Sequence, residues 1–506
     1  MSETPTQAEI AALLAVAQDH AFGQPPGAQL RATVLAQELA AAVGLDESAR
    51  ETTWWTSTLR FLGCTGHAFE TATLFGDEIE VRAWSLRADA SNPVELLRKM
   101  VSLAGAGSTG IARVQAVVGL LATGRAAARS NFQAACEVAD AFAARLGLDD
   151  DLRSALAANF ERWNGKGLPR GLKATAIPVP MRIAQIAQEF EVLARSGSVA
   201  ASLDVMASRR AKAYDPEITD VVLSRGRRWW DVVHDLDPWD AALEHAPVTP
   251  PLQGEALRNA LVLLADFADL KSPSMAGHSR AVAALVVEAC GPGAEAGALV
   301  HDIGRVAVPN SIWDKPGPLT RDERDRVEMH SLVTEQLLRR LPLPPDTLEA
   351  ACGAHERLDR SGYHRRAGGP HLGEVARVIA AADVYQAMIS DRPHRPASSS
   401  AEAAAELRAM ADAGSLDGEA VERVLEAAGH PRRSRVALPA GLTAREVEVL
   451  RLLTLGLTTR QAAARLFIST KTADRHVQNT YRKLGVSTRG AAALFAIEHG
   501  LVVEAV

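Results

Sequence analysis

The sequence predicts an all-α protein, and three observations carry that prediction. Alanine is abundant throughout while aromatic residues make up only 5% of the 506 positions, a balance that favours helices because alanine loses the least side-chain entropy there. Apolar residues recur at helical spacing, as in Val282, Leu285, Val286 and Ala289. Residues 441–506 break into short helical segments joined by tight turns.

A chain of 506 residues is too long for one ordinary core, and a prior of roughly 150 residues per domain suggests about three domains. The divisions expected are a first domain over 1–225, a connector over 226–258, a second domain over 259–430, a linker over 431–440 and a third domain over 441–506. The start, MSETPTQAEI, has no basic flank before an apolar run, and no segment approaches 18 uninterrupted apolar residues. No membrane partner or secretion is therefore expected. Cys64, Cys136, Cys290 and Cys352 show no C-x-x-C spacing, so neither a zinc knuckle nor a disulfide framework is indicated and a reducing cytoplasm is the expected home. The net charge of −6 says little about partners, but the last stretch is locally basic.

From Leu299 the chain reads LVHDIGRVAVPNSIWDKPGPLT. A neutral imidazole, His301, beside a carboxylate, Asp302, offers one nitrogen and one oxygen ligand, and the carboxylate can bridge two cations. Further ligands must come from elsewhere. His278 lies upstream; His330, His355, Glu356 and Asp383 lie downstream, on stretches that a helical bundle could aim at one interior point. A satisfied core histidine accounts for any one of these positions, but not for the ordered set.

Residues of roughly 260–430 thereby resemble the HD-GYP family, metal-dependent phosphohydrolases whose known members cleave c-di-GMP. The resemblance implies that His278, His301, Asp302 and Asp383 hold one divalent ion and that Asp302, His330 and His355 hold a second. Iron, manganese, magnesium or zinc, one ion or two, would meet that expectation. It also implies Asp302 and Arg305 as catalytic residues and Arg305, Gly362 and Tyr363 as contacts to a c-di-GMP-like nucleotide. Two cations about 3.5–4 Å apart would favour in-line attack on a phosphodiester, whereas one would suit a slower enzyme or a sensor.

Several positions depart from the family pattern. The lysine of HDxGK is Arg305, which keeps a forked positive charge but cannot give up a proton. The family's paired histidines become Ala354 and His355, and the acidic residue a helical turn before the first histidine is Ser274. GYP becomes Gly362, Tyr363, His364, where His364 is either a substitute ligand or a loop histidine in water.

The first domain reads as a copy of the second. NFERWNGKGLPRG at 159–171 matches AHERLDRSGYHRR at 354–366, at an offset of 195 that also pairs Arg162 with Arg357, Arg182 with Arg377 and Gln188 with Asp383. The chemistry is absent from this copy. Arg60 and Phe61 stand where His301 and Asp302 stand in the second copy, Ala135 where His330 stands, Phe160 where His355 stands and Ala28 where His278 stands. The first copy is also longer, with 75 residues from 60 to 135 against 29 from 301 to 330. His67 and Cys64, in GCTGH, fit a packing or surface role better than a ligand role, having no further partners. In the connector, RGRRWW, DPWD and PVTPP suggest an ordered strap whose tryptophans anchor it to both halves.

In the last domain, Val447, Leu450 and Leu453 mark an apolar face that ends at Gly456, and Ala463 and Leu466 mark a second short helix. A turn over Phe467–Ser469 follows, with Ser469 placed to cap the next helix. That helix would bury Ala473, Val477 and Leu484 and expose Lys471, Arg475, Gln478 and Arg482, a polar and cationic surface suited to a DNA major groove. Nine bases face three acids between 441 and 490, a phosphate-binding balance. Through LTAREVEVL, IS-x-x-T, His476, Asn479 and RKLGVSTR, the stretch resembles the LuxR-type DNA-binding domain. The resemblance implies that Lys471, Thr472, Arg475, His476, Asn479 and Lys483 face DNA and that Gly490–His499 pairs two copies into a homodimer. Asp474, where the family often has a base, would repel a nearby phosphate.

The fold expected is thus two tandem HD-GYP-like helical domains followed by a four-helix LuxR-type domain. The function expected is a DNA-binding regulator whose metal-bearing half senses or hydrolyses a cyclic dinucleotide. The alternatives are a phosphodiesterase that DNA merely localises and a regulator with no catalysis.

Overall fold

The structure is a computed structural model that describes residues 4–88, 93–103, 110–432, 439–499 and 501. These residues contain helices, turns and isolated bridges but no β-strand, so the protein is all-α. No described helix is long and apolar enough to cross a membrane. The chain divides into two compact units, Met1–Pro431 and Arg432–Val506. Residues 433–438, most of the linker expected at 431–440, lie outside the described residues.

The duplication is visible in small structural devices that recur in both copies. The helices Ala28–Ala42 and His278–Cys290 each start after a left-handed glycine, Gly27 (φ 91°) and Gly277 (φ 77°). A buried carboxylate then caps each start. Asp19 accepts from the amides of Gly27 and Gln29, at 2.8 and 3.0 Å, and Asp269 accepts from the Ser279 amide at 2.8 Å. Glu161 accepts amides from Arg170, Gly171 and Leu172, and Glu356 accepts those of Arg365 and Ala367. Arg182 and Arg377 each tie the start of their own helix to a carbonyl and a carboxylate. Such matched hydrogen bonding places Ala28 opposite His278 and Phe160 opposite His355.

Two glycines fix the close packing inside each copy. A Cβ on Gly304 would lie 2.1 Å from the His330 carbonyl oxygen, and one on Gly63 would lie 1.8 Å from that of Ala135. The Gly304→Ala substitution is therefore expected to cost about 1–3 kcal/mol by overpacking. It should also shift His330, which moves with its helix; a full-length variant with wild-type melting would refute the role.

The copies share one apolar core rather than forming two separate ones. Its centre is the helix Gln7–Ala21, whose sequence is apolar almost all round and which is buried on nearly every side. That helix packs on its own copy and also on the second copy's helices Gly254–Asp269 and Arg321–Leu338. The boundary expected at 225/226 falls inside the helix Pro216–Val233. In the strap that follows, the buried Trp239 lies under Arg340 of the second copy, 5.5 Å from its ring centroid, and the Trp54 indole donates to the Ala242 carbonyl at 2.8 Å.

The C-terminal unit has the helices Ala444–Thr454, Thr459–Arg465, Thr470–Leu484 and Arg489–Glu498. The first two carry capping boxes, Thr443 with Glu446 and Thr458 with Gln461. Ser469 caps the third by accepting the Thr472 amide at 3.0 Å. Val447, Leu450, Leu453, Ala463, Ala473 and Val477 form the buried side, and Gly456 (φ 93°) reverses the chain after the first helix.

Candidate metal centre and nucleic-acid interface

Five elements of the second copy deliver six buried side chains to one place. His278 opens the helix His278–Cys290; His301 and Asp302 sit at the break between the helix Glu295–Val300 and the short 3-10 turn Ile303–Ala307. His330 lies within Arg321–Leu338, His355 just past Pro345–Cys352 and Asp383 within Glu374–Ile389. His278, His301, Asp302 and Asp383 each bring one ligand atom within 4.8 Å of the others, and Asp302, His330 and His355 form a second such group.

Asp302 divides its two oxygens between the groups. Its Oδ2 lies 3.0 Å from His301 Nε2 and 3.8 Å from His278 Nε2, while its Oδ1 lies 3.1 Å from His330 Nε2 and 2.8 Å from His355 Nε2. Asp383 closes the first group, 3.0 Å from His278 Nε2 and 3.9 Å from His301 Nε2. Two histidines are oriented from behind. His301 Nδ1 donates to the Ala298 carbonyl at 2.7 Å and His330 Nδ1 donates to that of Val327, which leaves each Nε2 facing the cluster.

The donor set fits a divalent cation. His301 Nε2, which faces the cluster, is buried and makes no hydrogen bond. Buried polar atoms without partners are costly unless an ion or water takes them up. Imidazole and carboxylate together suit zinc, iron or manganese.

Burial opposes charge at His278, His301, Asp302 and His355, yet close opposite charges prevail at some of them. Burial pushes down His301, but the carboxylates of Asp302 and Asp383 outweigh it and hold the imidazole up at about 10. Burial would raise Asp302, but the Arg305 guanidinium and the histidines hold it well below the usual carboxylate range. At His278 and His355 burial wins, bringing both down to about 4.

Arginines wall one side of the cluster. The Arg305 guanidinium rests on Asp302 Oδ2 and lies 5.1 Å from the centroid of the Trp313 ring. Arg305 and Arg392 both approach the Met275 sulfur, and Arg392 donates to the Ser274 carbonyl at 3.3 Å. Burial and the nearby Arg305 bring it down to about 10. Arg392 and Trp313 were not read as site residues from the sequence. The signal was present in SIWDKPG and in DRPHR, which follows the helix carrying Asp383.

Other expected residues fall as follows. Tyr363 stacks on His355 with ring centroids 5.1 Å apart, and Gly362 allows that approach because a Cβ there would lie 2.5 Å from Glu356 Cα. His364 is no substitute ligand, because its Nδ1 pairs with Ser331 and its Nε2 with Glu335, each at 2.8 Å. Ala354 is buried in the core, and Ser274 faces Asp314. Glu356 is occupied by loop amides and stays out of the cluster.

The corresponding place in the first copy is filled. Arg60 donates to Asn159 Oδ1 at 2.6 Å and to the Ala184 carbonyl at 3.2 Å, and Phe160 stacks on Phe132 at 4.1 Å. A guanidinium and the Phe160 ring thus stand where His301 and His355 stand in the second copy. His67, brought down to about 3 mainly by burial, pairs with Thr71, and burial pushes Cys64 up to about 12.

In the C-terminal unit Lys471, Thr472 and Arg475 are exposed on one face of Thr470–Leu484, and His476 and Asn479 are half-buried beside them. Lys483 is exposed as well but also engaged within the unit. Its amine is 2.7 Å from Glu446 and 3.0 Å from the Gly441 carbonyl, so it ties the helix to the unit's own first helix. Leu494 and Ile497 are exposed on the last helix.

Comparison with known proteins gives two family matches. Residues 127–218 and 263–420 match the HD domain, and residues 440–496 match the bacterial regulatory proteins of the luxR family. The chain is 28% identical over 403 residues to 3'3'-cGAMP-specific phosphodiesterase 3 of Vibrio cholerae, covering 77% of this chain and 87% of that protein. It is 31% identical over 217 residues to 3'3'-cGAMP-specific phosphodiesterase 1 of the same organism, spanning 40% of this chain and 50% of that one. A crystal structure of a V. cholerae cyclic GMP-AMP specific phosphodiesterase, V-cGAP3, superposes with a TM-score of 0.58 at 25% identity, over 84% of this chain and 98% of that chain.

Proposed function

We propose, from the premise that this chain carries an HD domain joined to a luxR-family regulatory domain, that it is a metal-dependent phosphodiesterase acting on a 3'3'-linked cyclic dinucleotide and coupled to DNA binding. The carrying observation is the division of Asp302 between two ligand groups, which suits one carboxylate bridging two divalent ions. His278, His301, Asp302 and Asp383 would hold one ion, and Asp302, His330 and His355 the other. When bound, the ions would supply Lewis acidity to the phosphoryl oxygens and lower the pKa of attacking water.

The chain's own residues do the rest. Arg305 and Arg392 present fixed positive charge to phosphate oxygens, and the Arg305 fork can bind two of them. Arg305 cannot serve as an acid toward the leaving oxygen, because guanidinium keeps its proton. Tyr363 and Trp313 offer flat faces to a purine. The relatives' substrates favour a mixed GMP–AMP ring over c-di-GMP. Lys471, Thr472, Arg475, His476 and Asn479 would face DNA, in a homodimer formed through Leu494 and Ile497.

The second reading is a non-catalytic sensor. It is favoured by the second ligand group, which has three protein ligands because Ala354 replaces a histidine. Metal analysis of the purified full-length protein, with turnover assays on 3'3'-cGAMP and c-di-GMP, separates the two. Metal with linear dinucleotide product supports the enzyme; metal and tight binding without product supports the sensor; absence of both defeats both readings.

A further inference from the structure

The insertion that lengthens the first copy reaches into the second. Glu78 opens the helix Glu78–Ser85, and its side chain is fully buried. Its principal partners belong to the other copy. Glu78 Oε1 is 2.7 Å from Lys271 Nζ, and both its carboxylate oxygens accept from the Asn310 amide at 3.1 Å. Lys271 also donates to the Val308 carbonyl, while its own carbonyl accepts from Asn310 Nδ2 at 2.6 Å.

These bonds hold residues 308–310 in the middle of a segment with two site residues at its ends. Arg305 lies in the turn Ile303–Ala307, and Trp313 ends the helix Asn310–Trp313. Arg305 stacks on Trp313, and Trp313 meets the His330 ring edge-on at 5.5 Å. A buried ion pair is weak evidence for stability alone, because desolvation offsets its attraction. Here the carboxylate also satisfies a backbone amide that would otherwise be buried without a partner, which fixes chain placement.

We propose that Glu78 is a positioning residue: from the copy without ligands it sets the backbone at 308–310, and so the placement of Arg305 and Trp313 beside the metal centre. Phosphodiester cleavage by one copy then depends on the insertion in the other. The kinetic consequence rests on the phosphodiesterase reading; the placement itself rests on the geometry.

The test uses the full-length protein with Glu78→Gln and with the double variant Glu78→Leu/Lys271→Met. The double variant removes both buried charges at once and so leaves neither unpaired. Hydrogen–deuterium exchange over residues 303–316, metal content and steady-state hydrolysis of 3'3'-cGAMP are measured together. The expected result is faster exchange confined to 303–316, retained metal, and kcat lowered about 10- to 100-fold in both variants. Exchange over 303–316 equal to wild type in the double variant overturns the proposal, as does loosened exchange with wild-type kcat. A purely structural role would instead raise exchange throughout the unit, which also counts against it. Should the wild-type protein cleave nothing, the phosphodiesterase reading fails while the exchange comparison still decides the placement.

Discussion

Asp302→Ala is expected to empty both ligand groups and to lower any cyclic-dinucleotide hydrolysis by at least about 1000-fold. The carboxylate supplies an oxygen to each group, and Lewis-acid stabilisation of several kcal/mol converts to about a thousandfold in rate at roughly 4 kcal/mol. Its loss has a second effect. Arg305 and His301 lose a buried counter-charge, and breaking such pairs from one side costs about 3–5 kcal/mol. His301, held at about 10 chiefly by Asp302 against the effect of burial, would then bind its proton less tightly. Asp302→Asn separates shape from charge: it should retain more stability than the alanine variant and still fail to hold metal. Metal analysis and a turnover assay check both variants. Wild-type metal content in Asp302→Ala would remove the bridging role, and undiminished turnover would remove the mechanism.

Lys471→Glu is expected to abolish specific DNA binding by the full-length protein. The side chain is exposed on the first turn of Thr470–Leu484, on the face that also carries Thr472 and Arg475. Charge reversal there replaces an attraction to phosphate by a repulsion. Wild-type affinity should itself fall about 10³- to 10⁵-fold between 50 and 200 mM salt if 6–10 phosphates are contacted. Lys483→Met makes the informative contrast, because that amine is taken up by Glu446 and the Gly441 carbonyl. It should lower the melting temperature of the unit while leaving the salt slope nearly unchanged. A gel shift insensitive to salt, or one that survives Lys471→Glu, would exclude this face.

Much of the candidate site was legible because its determinants are local. His301 next to Asp302 could be picked out as adjacent donors from chain order, while the grouping of the other histidines and Asp383 with them was what the family resemblance implied. The duplication needed only an offset of 195, and the matched Glu161 and Glu356 latches give it physical content. The Ser469 cap and the Gly456 reversal follow from side chains acting on their own backbone. Arg392 was missed because chain order does not tell whether a loop folds back on the helix before it.

Periodicity and residue type at a position were enough to specify the all-α architecture, the loss of ligands from the first copy and the cationic face of the last unit. The packing of helices was needed to reveal that Asp302 splits its oxygens between two groups and that His364 turns to Ser331 and Glu335. It alone decided that Lys483 binds its own scaffold and that Glu78 crosses to the other copy. The reason is geometric: helical periodicity is written along the chain, but where a charged side chain finds its partner depends on which helices pack against each other.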